Sequence, residues 1–214
     1  MDKAVTLEAI RSSRIVAIIR ENDPDIALNA AMACCESGIT CIEVALTTPR
    51  GLHVIERLAK VANLTVGAGT VLDAQTAASA IHAGATFLLS PAVVPEMIRA
   101  CSKYGVVSVP GAFTATETLS ALEAGADIVK IFPAKTGGPD YIASLAAPFP
   151  QAVFMPSGGV SSENLDQWFV RGVIAVGVGG YLTADAASGD YAAVSEKARR
   201  LVAAAHTLKL GPAR

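Results

Sequence analysis

A (β/α)8 barrel with one extra helix at the N-terminus is the fold class that this sequence predicts, and three features point to it. Gly38, Gly84, Gly105, Gly125 and Gly172 each close a helix-like stretch and precede a short apolar run, as in Ala80-Ile-His-Ala-Gly84 followed by Ala85-Thr-Phe-Leu-Leu-Ser90. Glycine after a helix supplies the left-handed residue of the C-terminal turn. Those glycines lie 46, 21, 20 and 47 residues apart, near one or two multiples of a unit of about 20–24 residues, the length of a strand, a helix and their loops. The missing beats fall near Asn63, also a good helix terminator, and near Pro148-Phe-Pro150. The apolar runs themselves are short and β-branched, as parallel strands covered on both faces should be. About eight such units fit in the chain, the number a (β/α)8 barrel needs.

In chain order, a helix near Lys3–Arg11 is expected to cover the barrel bottom. Strands follow near Ile15–Arg20, Cys41–Leu46, Thr65–Gly69, Thr86–Ser90, Val106–Val109, Ile128–Phe132, Val153–Met155 and Ile174–Gly177. Several intervening helices open on cap residues: Asp23 before Pro24, Asp73, Thr114 with Glu117 three residues on as a capping box, and Ser161 with Asn164. A last helix over Tyr191–His206 would close the ring. An open doubly wound sheet is the alternative, but no Gly-x-Gly-x-x-Gly follows the first strand.

With 214 residues, 52% of them apolar and 17% charged, the chain suits one globular domain, residues 1–214. A net charge of −2 without charge blocks recruits neither nucleic acid nor an anionic membrane. No apolar stretch is long enough to span a bilayer, and the N-terminus lacks the basic-then-apolar pattern of a signal peptide, so the expected location is the cytoplasm. Cys34, Cys35, Cys41 and Cys101 suit neither a disulfide framework nor a zinc site and read as reduced core thiols. His53, His82 and His206 are scattered, so a protein-held metal is not expected.

The chemistry centres on Lys130, inside the apolar run Asp127-Ile-Val-Lys-Ile-Phe-Pro133. Desolvation penalises an ammonium, and a neutral amine can attack a carbonyl to form a Schiff base. A lysine that snorkels or pairs with a carboxylate is the structural alternative. Side chains alternate across a strand, so Lys130 shares the inner face with Ile128 and Phe132. The same parity turns Glu43 inward with Cys41 and Ala45, and Arg20 with Val16 and Ile18. Arg20, Glu43, Thr70 and Lys130 thus converge near the C-terminal strand ends, where barrel enzymes place their chemistry. Glu43 could serve as an acid/base or be half of an ion pair. Two glycine-rich loops follow the last two strands, Met155-Pro-Ser-Gly-Gly-Val160 and Val176-Gly-Val-Gly-Gly-Tyr181. They form either a phosphate cup of backbone N–H groups or plain tight connections. A phosphorylated carbonyl compound is the substrate these residues suggest.

The stretches Ile15-Val-Ala-Ile-Ile-Arg20, Ile42-Glu-Val44, Val66-Gly-Ala-Gly-Thr-Val71, Ser90-Pro91, Pro110-Gly111, Val129-Lys-Ile-Phe-Pro133, Gly138-Pro139 and Pro156-Ser-Gly-Gly159 together resemble the KDPG/KHG aldolase family. Its members act on 2-keto-3-deoxy-6-phosphogluconate (KDPG), 2-keto-4-hydroxyglutarate (KHG) and the phosphogalactonate epimer. The resemblance implies Lys130 as Schiff-base lysine and Glu43 as acid/base, without cofactor or metal. It implies Thr70, Pro91 and Phe132 around a pyruvyl pocket, with Arg20 and the Thr70 hydroxyl near the carboxylate. Ser157, Gly158, Gly159 and Gly179, with Gly180, would meet the distal hydroxyls or phosphate. It also implies a keto acid substrate and a homotrimer.

Two positions depart from the family pattern. Thr47 stands where some members carry an arginine, which assigns the chain to the group that uses the arginine ending the first strand, here Arg20. Gly180 stands where many carry a serine, removing a hydroxyl donor to phosphate, so an unphosphorylated acid such as 2-keto-4-hydroxyglutarate stays open. Two rival functions share the barrel: a sugar-phosphate epimerase or isomerase with Lys130 and Glu43 as two bases, and a noncatalytic binding barrel with the pair as an ion pair.

Overall fold

The computed structural model describes residues 2–208. Helix α1 (Lys3–Ser13) leads into an alternation of short strands and helices: β1 (Ile15–Ile19), α2 (Pro24–Glu36), β2 (Cys41–Ala45), α3 (Gly51–Leu58), β3 (Thr65–Gly69), α4 (Ala74–His82), β4 (Phe87–Leu89) and α5 (Pro95–Tyr104). The second half continues with β5 (Val107–Val109), β6 (Gly111–Ala112), α6 (Ala115–Glu123), β7 (Val129–Ile131), α7 (Ala134–Ala146), β8 (Phe154–Pro156), β9 (Val176–Val178), α8 (Gly180–Thr183) and α9 (Tyr191–Thr207).

Local sequence explains the boundaries. Asp23 and Asp73 cap α2 and α4 through their carboxylates, Pro24 opens α2, and Thr114 with Glu117 forms both halves of a capping box on α6. The five glycines that punctuate the sequence all have positive φ, as does Asn63. One expected helix start differs. After β8 the chain makes only a short 3-10 turn, Leu165–Trp168, and Asn164 accepts from the Ser161 N–H rather than being capped by the serine. The same Asn164 carboxamide accepts from Trp168 Nε1 and donates to the Gly159 carbonyl, so it ties this loop down with its side chain.

All strand pairs are parallel, in an α/β fold with a curled six-stranded sheet in the order β5-β4-β3-β2-β1-β9 and a three-stranded sheet β6-β7-β8. Among the described residues this strand pairing does not by itself show the expected closed ring of eight strands. The division falls at Pro110, which has no N–H to donate to a ladder. Residues 107–109 pair with β4, while 111–112 pair with β7. Single hydrogen bonds cross the seam, from Ile128 N–H to the Ser108 carbonyl at 3.2 Å and from Lys130 N–H to the Pro110 carbonyl at 2.9 Å. On the other side only isolated bridges, Phe154–Val173 and Ser157–Gly177, join β8 to β9.

Alternation along the strands sorts the apolar residues into two cores. Ile15, Ala17, Ile19, Ile42, Val44, Val129 and Ile131 pack outward against the helices. Val16, Cys41, Phe87, Leu89, Val107, Val109, Ile128 and Met155 pack inward, and Ile10 of α1 joins them from below. The cysteines are free, and burial pushes the Cys34 and Cys101 thiols up to about 12 and Cys41 up to about 11, so they sit in the packing as neutral groups.

A polar clasp fastens α1 to the lower rim. Lys3 Nζ meets Asp127 Oδ1 at 2.8 Å, while Asp127 Oδ2 accepts from the Ser108 N–H at 2.8 Å and the Ser108 hydroxyl at 2.9 Å. The Asp127 side chain is 16% exposed, so its removal leaves donors with limited access to water. Asp127→Ala is expected to cost about 2–3 kcal/mol of stability in denaturant titrations, whereas Lys3→Ala, which removes only a half-exposed partner, should cost less than about 1 kcal/mol.

Candidate active site

Glu43 sits in the middle of β2 facing inward, with 0% of its surface exposed. Neither of its carboxylate oxygens has a hydrogen-bond partner among the described residues. The site is shaped around it. Gly67 and Gly69 of the neighbouring strand β3 share the inner face, and a Cβ on Gly69 would overlap Glu43 Oε1 outright, as one on Gly67 would overlap the Phe87 ring. The two glycines therefore leave room for a carboxylate and a phenyl ring that the adjacent strands supply. Burial pushes the Glu43 carboxyl above its ordinary range, and the positive charges of Lys130 and Arg20 pull it partly back.

Lys130, central in β7, is 6% exposed. Its Nζ lies 5.2 Å from the centroid of the Phe132 ring, a cation–π distance, and Phe132 itself is 40% exposed at the mouth. Lys130 forms no ion pair with Glu43 or any other carboxylate among the described residues. The strand facing it is pared down as well: Gly111 pairs with Lys130, and a Cβ there would strike the Pro91 carbonyl. The Pro91 backbone thus packs against the residue that pairs with Lys130.

Arg20 leaves the end of β1 and reaches across two strands. Nη1 donates to Thr47 Oγ1 at 2.7 Å and Nη2 to Thr70 Oγ1 at 3.1 Å. Thr70 follows β3 in left-handed backbone at φ 59°, an uncommon and costly conformation for a β-branched residue. Arg20 and Thr70 thus meet directly, and the Arg20 charge also acts on Glu43.

Ser157, Gly158, Gly159, Gly179 and Gly180 gather at the ends of β8 and β9. Ser157 is buried, and its N–H donates to the Ile131 carbonyl one residue past Lys130. Gly158 and Gly159 have φ of 98° and 86°, and the paired loops enclose a cavity of about 250 Å³ lined by Gly158, Gly159, Ser161, Gly179, Gly180 and Tyr181. Its glycines expose backbone to the cavity, as a cradle for an anionic or hydroxylated group requires, and Val160, Ser161 and Tyr181 add side chains to the lining. The Tyr181 ring closes one side, its hydroxyl 2.7 Å from Ser162 Oγ. Nearby Glu163 is held down to about 2 by hydrogen bonds from Ser161 and Ser162. A second cavity, about 320 Å³, opens among Ser12, Arg14, Gly38, Thr40 and His206 at the opposite strand ends and contains none of these residues.

Residues 7–197 match the family model for KDPG and KHG aldolases. The chain belongs to the KDPG and KHG aldolase family. It is similar to the 2-dehydro-3-deoxy-phosphogluconate aldolase of Pseudomonas aeruginosa, 39% identical over 171 residues that cover 78% of this chain and 77% of that protein. The 2-dehydro-3-deoxy-6-phosphogalactonate aldolase of Escherichia coli is 37% identical over 169 residues, 77% of this chain and 82% of that one. Among solved structures, KDPG aldolase from Legionella pneumophila, with pyruvate captured at low pH as a covalent carbinolamine intermediate, superposes with a TM-score of 0.83 at 27% identity, covering 92% of this chain and 97% of its own. The KDPG and KHG aldolases are lyases that act on carbon–carbon bonds.

Three contributors to this family member's site escape a reading of the sequence alone. Gly69 carries a usable signal, an inward glycine beside an inward glutamate one strand away. Asn164, which holds the Gly159 carbonyl at 2.9 Å, looks like an ordinary helix-cap partner. Thr47 stands out only as a departure from the family pattern, with nothing to say that it touches Arg20.

The raised Glu43 pKa has a definite consequence for stability. A carboxyl that binds its proton more tightly when folded contributes its full stability below the ordinary value of 4.5 and loses it as pH rises through the folded value. Glu43→Gln cannot ionise and should escape that loss. Denaturant midpoints of variant and wild type are expected to coincide near about pH 4 and to separate in favour of the variant by about pH 8.

Proposed function

We propose that this chain is a class I, Schiff-base aldolase that cleaves 2-keto-3-deoxy-6-phosphogluconate or a close relative to pyruvate and glyceraldehyde 3-phosphate. The observation that carries the reading is a buried lysine and a buried, unpartnered carboxylate on inner strand faces, without an ion pair between them, with a glycine-rich cavity at the ends of β8 and β9. The relatives' names supply the substrate class. A pair kept only for structure would gain most from direct contact, and burying the two charges apart makes little sense in a passive barrel.

In this mechanism the Lys130 amine adds to the C2 ketone, and Glu43 relays protons as water leaves and the iminium forms. The iminium draws in the electron pair of the C3–C4 bond. Glu43, directly or through water, takes the C4 hydroxyl proton, the aldehyde departs, and a pyruvyl enamine remains. Protonation at C3 and hydrolysis return pyruvate and the free lysine. Arg20 and Thr70 would hold the carboxylate, Pro91 and Phe132 would wall the pyruvyl group, and Ser157 with the glycine loops would take the distal end. Gly180 offers no hydroxyl and favours a second reading, in which an unphosphorylated acid such as 2-keto-4-hydroxyglutarate is accepted. The phosphogalactonate epimer is a third candidate of the same class.

The same reading joins the two sheets into one closed (β/α)8 barrel in a single domain. Residues 107–112 act as its fifth strand, supported by the hydrogen bonds across Pro110 and the bridges from β8 to β9. It extends to a cytoplasmic enzyme with a keto acid as its partner rather than nucleic acid or membrane; no helix among the described residues is long and apolar enough to cross a bilayer. It further takes the chain as a homotrimer, for which Leu52, Leu72 and Leu119 offer exposed apolar surface. Sedimentation equilibrium at three times the 21.9 kDa chain mass is the expected result, and a monomer would refute that part.

Borohydride reduction with pyruvate, followed by peptide mapping, tests the mechanism. An adduct is expected on Lys130, none in Lys130→Ala, and an adduct with turnover lowered about 10²–10⁴-fold in Glu43→Gln. The ratio of kcat/KM values on the phosphogluconate, phosphogalactonate and hydroxyglutarate compounds then separates the substrates. No adduct in the folded wild-type chain would favour an epimerase or a binding barrel.

A further inference from the structure

Arg20 is exposed at the mouth, where a free arginine samples many rotamers and must be ordered whenever it grips a ligand. Here it is already held. Its two terminal nitrogens donate to hydroxyls from two other strand ends, Thr47 at 2.7 Å and Thr70 at 3.1 Å. The loop that presents Thr47 is itself stitched down: the next residue, Thr48, is buried, its Oγ1 accepts the Glu21 N–H at 3.2 Å, and its N–H donates to the Ala45 carbonyl at 2.9 Å. Consecutive threonines therefore fix the chain leaving β2 to the chain leaving β1, and the Thr47 hydroxyl has little freedom to depart.

A guanidinium has five N–H donors, so two bonds to hydroxyls leave three. The head is pinned and can still offer a pair of N–H groups to a carboxylate. No carboxylate of the described residues forms an ion pair with it. Threonine suits this role for a chemical reason: its hydroxyl accepts from the guanidinium without neutralising it, where an aspartate would occupy the charge meant for the ligand.

We infer that Thr47 is a positioning residue that holds the Arg20 guanidinium ready for the carboxylate of the keto acid, so that the arginine is ordered before the ligand arrives. The inference rests on the aldolase reading above, in which Arg20 meets that carboxylate. Thr47 acts through Arg20 and not on the reacting atoms, so its loss weakens binding of a charged ligand and leaves the chemical step alone.

The experiment measures borohydride trapping of the full chain as a function of pyruvate and of pyruvamide, its uncharged counterpart, alongside kcat and KM on the cleaved keto acid. Thr47→Val keeps the shape and removes the acceptor. It is expected to raise the half-saturating pyruvate concentration and the KM about five- to tenfold, with kcat within about twofold and pyruvamide unaffected. Thr47→Ser, which retains the hydroxyl, is expected to restore pyruvate affinity. In an Arg20→Ala background Thr47→Val should add nothing. An equal penalty on pyruvamide, a penalty that persists without Arg20, or unchanged affinity in Thr47→Val would overturn the inference while leaving the aldolase reading intact. Absence of trapping with both ligands in the wild type would overturn the aldolase reading, and this inference with it.

Discussion

Glu43 is fully buried with both carboxylate oxygens unpartnered, and most of the architecture around the site can be understood as making that arrangement possible. An ionised carboxylate there is costly, because nothing replaces the water it has lost. The nearest compensation is the field of Lys130 and Arg20, and neither forms an ion pair with it. Geometry must therefore exclude what chemistry does not satisfy. Gly69 provides the volume, the parallel ladder of β2 and β3 sets the register, and the inner core of Phe87, Leu89, Val107 and Val109 keeps water from below. In the proposed mechanism this cost makes Glu43 hold its proton more tightly than an exposed carboxyl does, which suits an acid/base role.

The mouth of the sheet follows a different rule. Where the interior withholds hydrogen bonds, the rim supplies them. Arg20 is shared between Thr47 and Thr70, Asn164 holds Gly159, and Tyr181 meets Ser162. The unpartnered Glu43 and the buried Lys130 lie below and the hydrogen-bonded groups lie above. The left-handed Thr70 belongs to this rim, and its conformation is held by what surrounds it rather than by its own preference.

The punctuating glycines, the caps at Asp23, Asp73 and Thr114, and the alternation of inward and outward residues were all legible in the sequence, because each depends on neighbours only a few positions away. Parity alone placed Lys130 and Glu43 on inner faces. The start expected at Ser161 was misread because Asn164 could serve as a cap partner or as a loop tether, and only the position of Gly159 and Trp168 decides between them. How the expected strands pair around the sheet likewise depends on distant atoms. The fifth strand expected at Val106–Val109 is followed in the structure by Gly111–Ala112 beyond Pro110, and the pairing passes there from β4 to β7.

What the sequence determined by itself was therefore the alternating α/β order, the two cores and the identity of the inward polar residues, since periods of two and of 3.6 residues are local properties of a chain. Tertiary structure decided what those residues meet. Whether a buried lysine and glutamate touch, whether a glycine is a hinge or a space for another strand's side chain, and which hydroxyl steadies an arginine all depend on atoms 20 or more positions away. Thr47 and Arg20 are 27 residues apart and Arg20 and Thr70 are 50 apart; only the side-by-side pairing of β1, β2 and β3 brings them within hydrogen-bond reach.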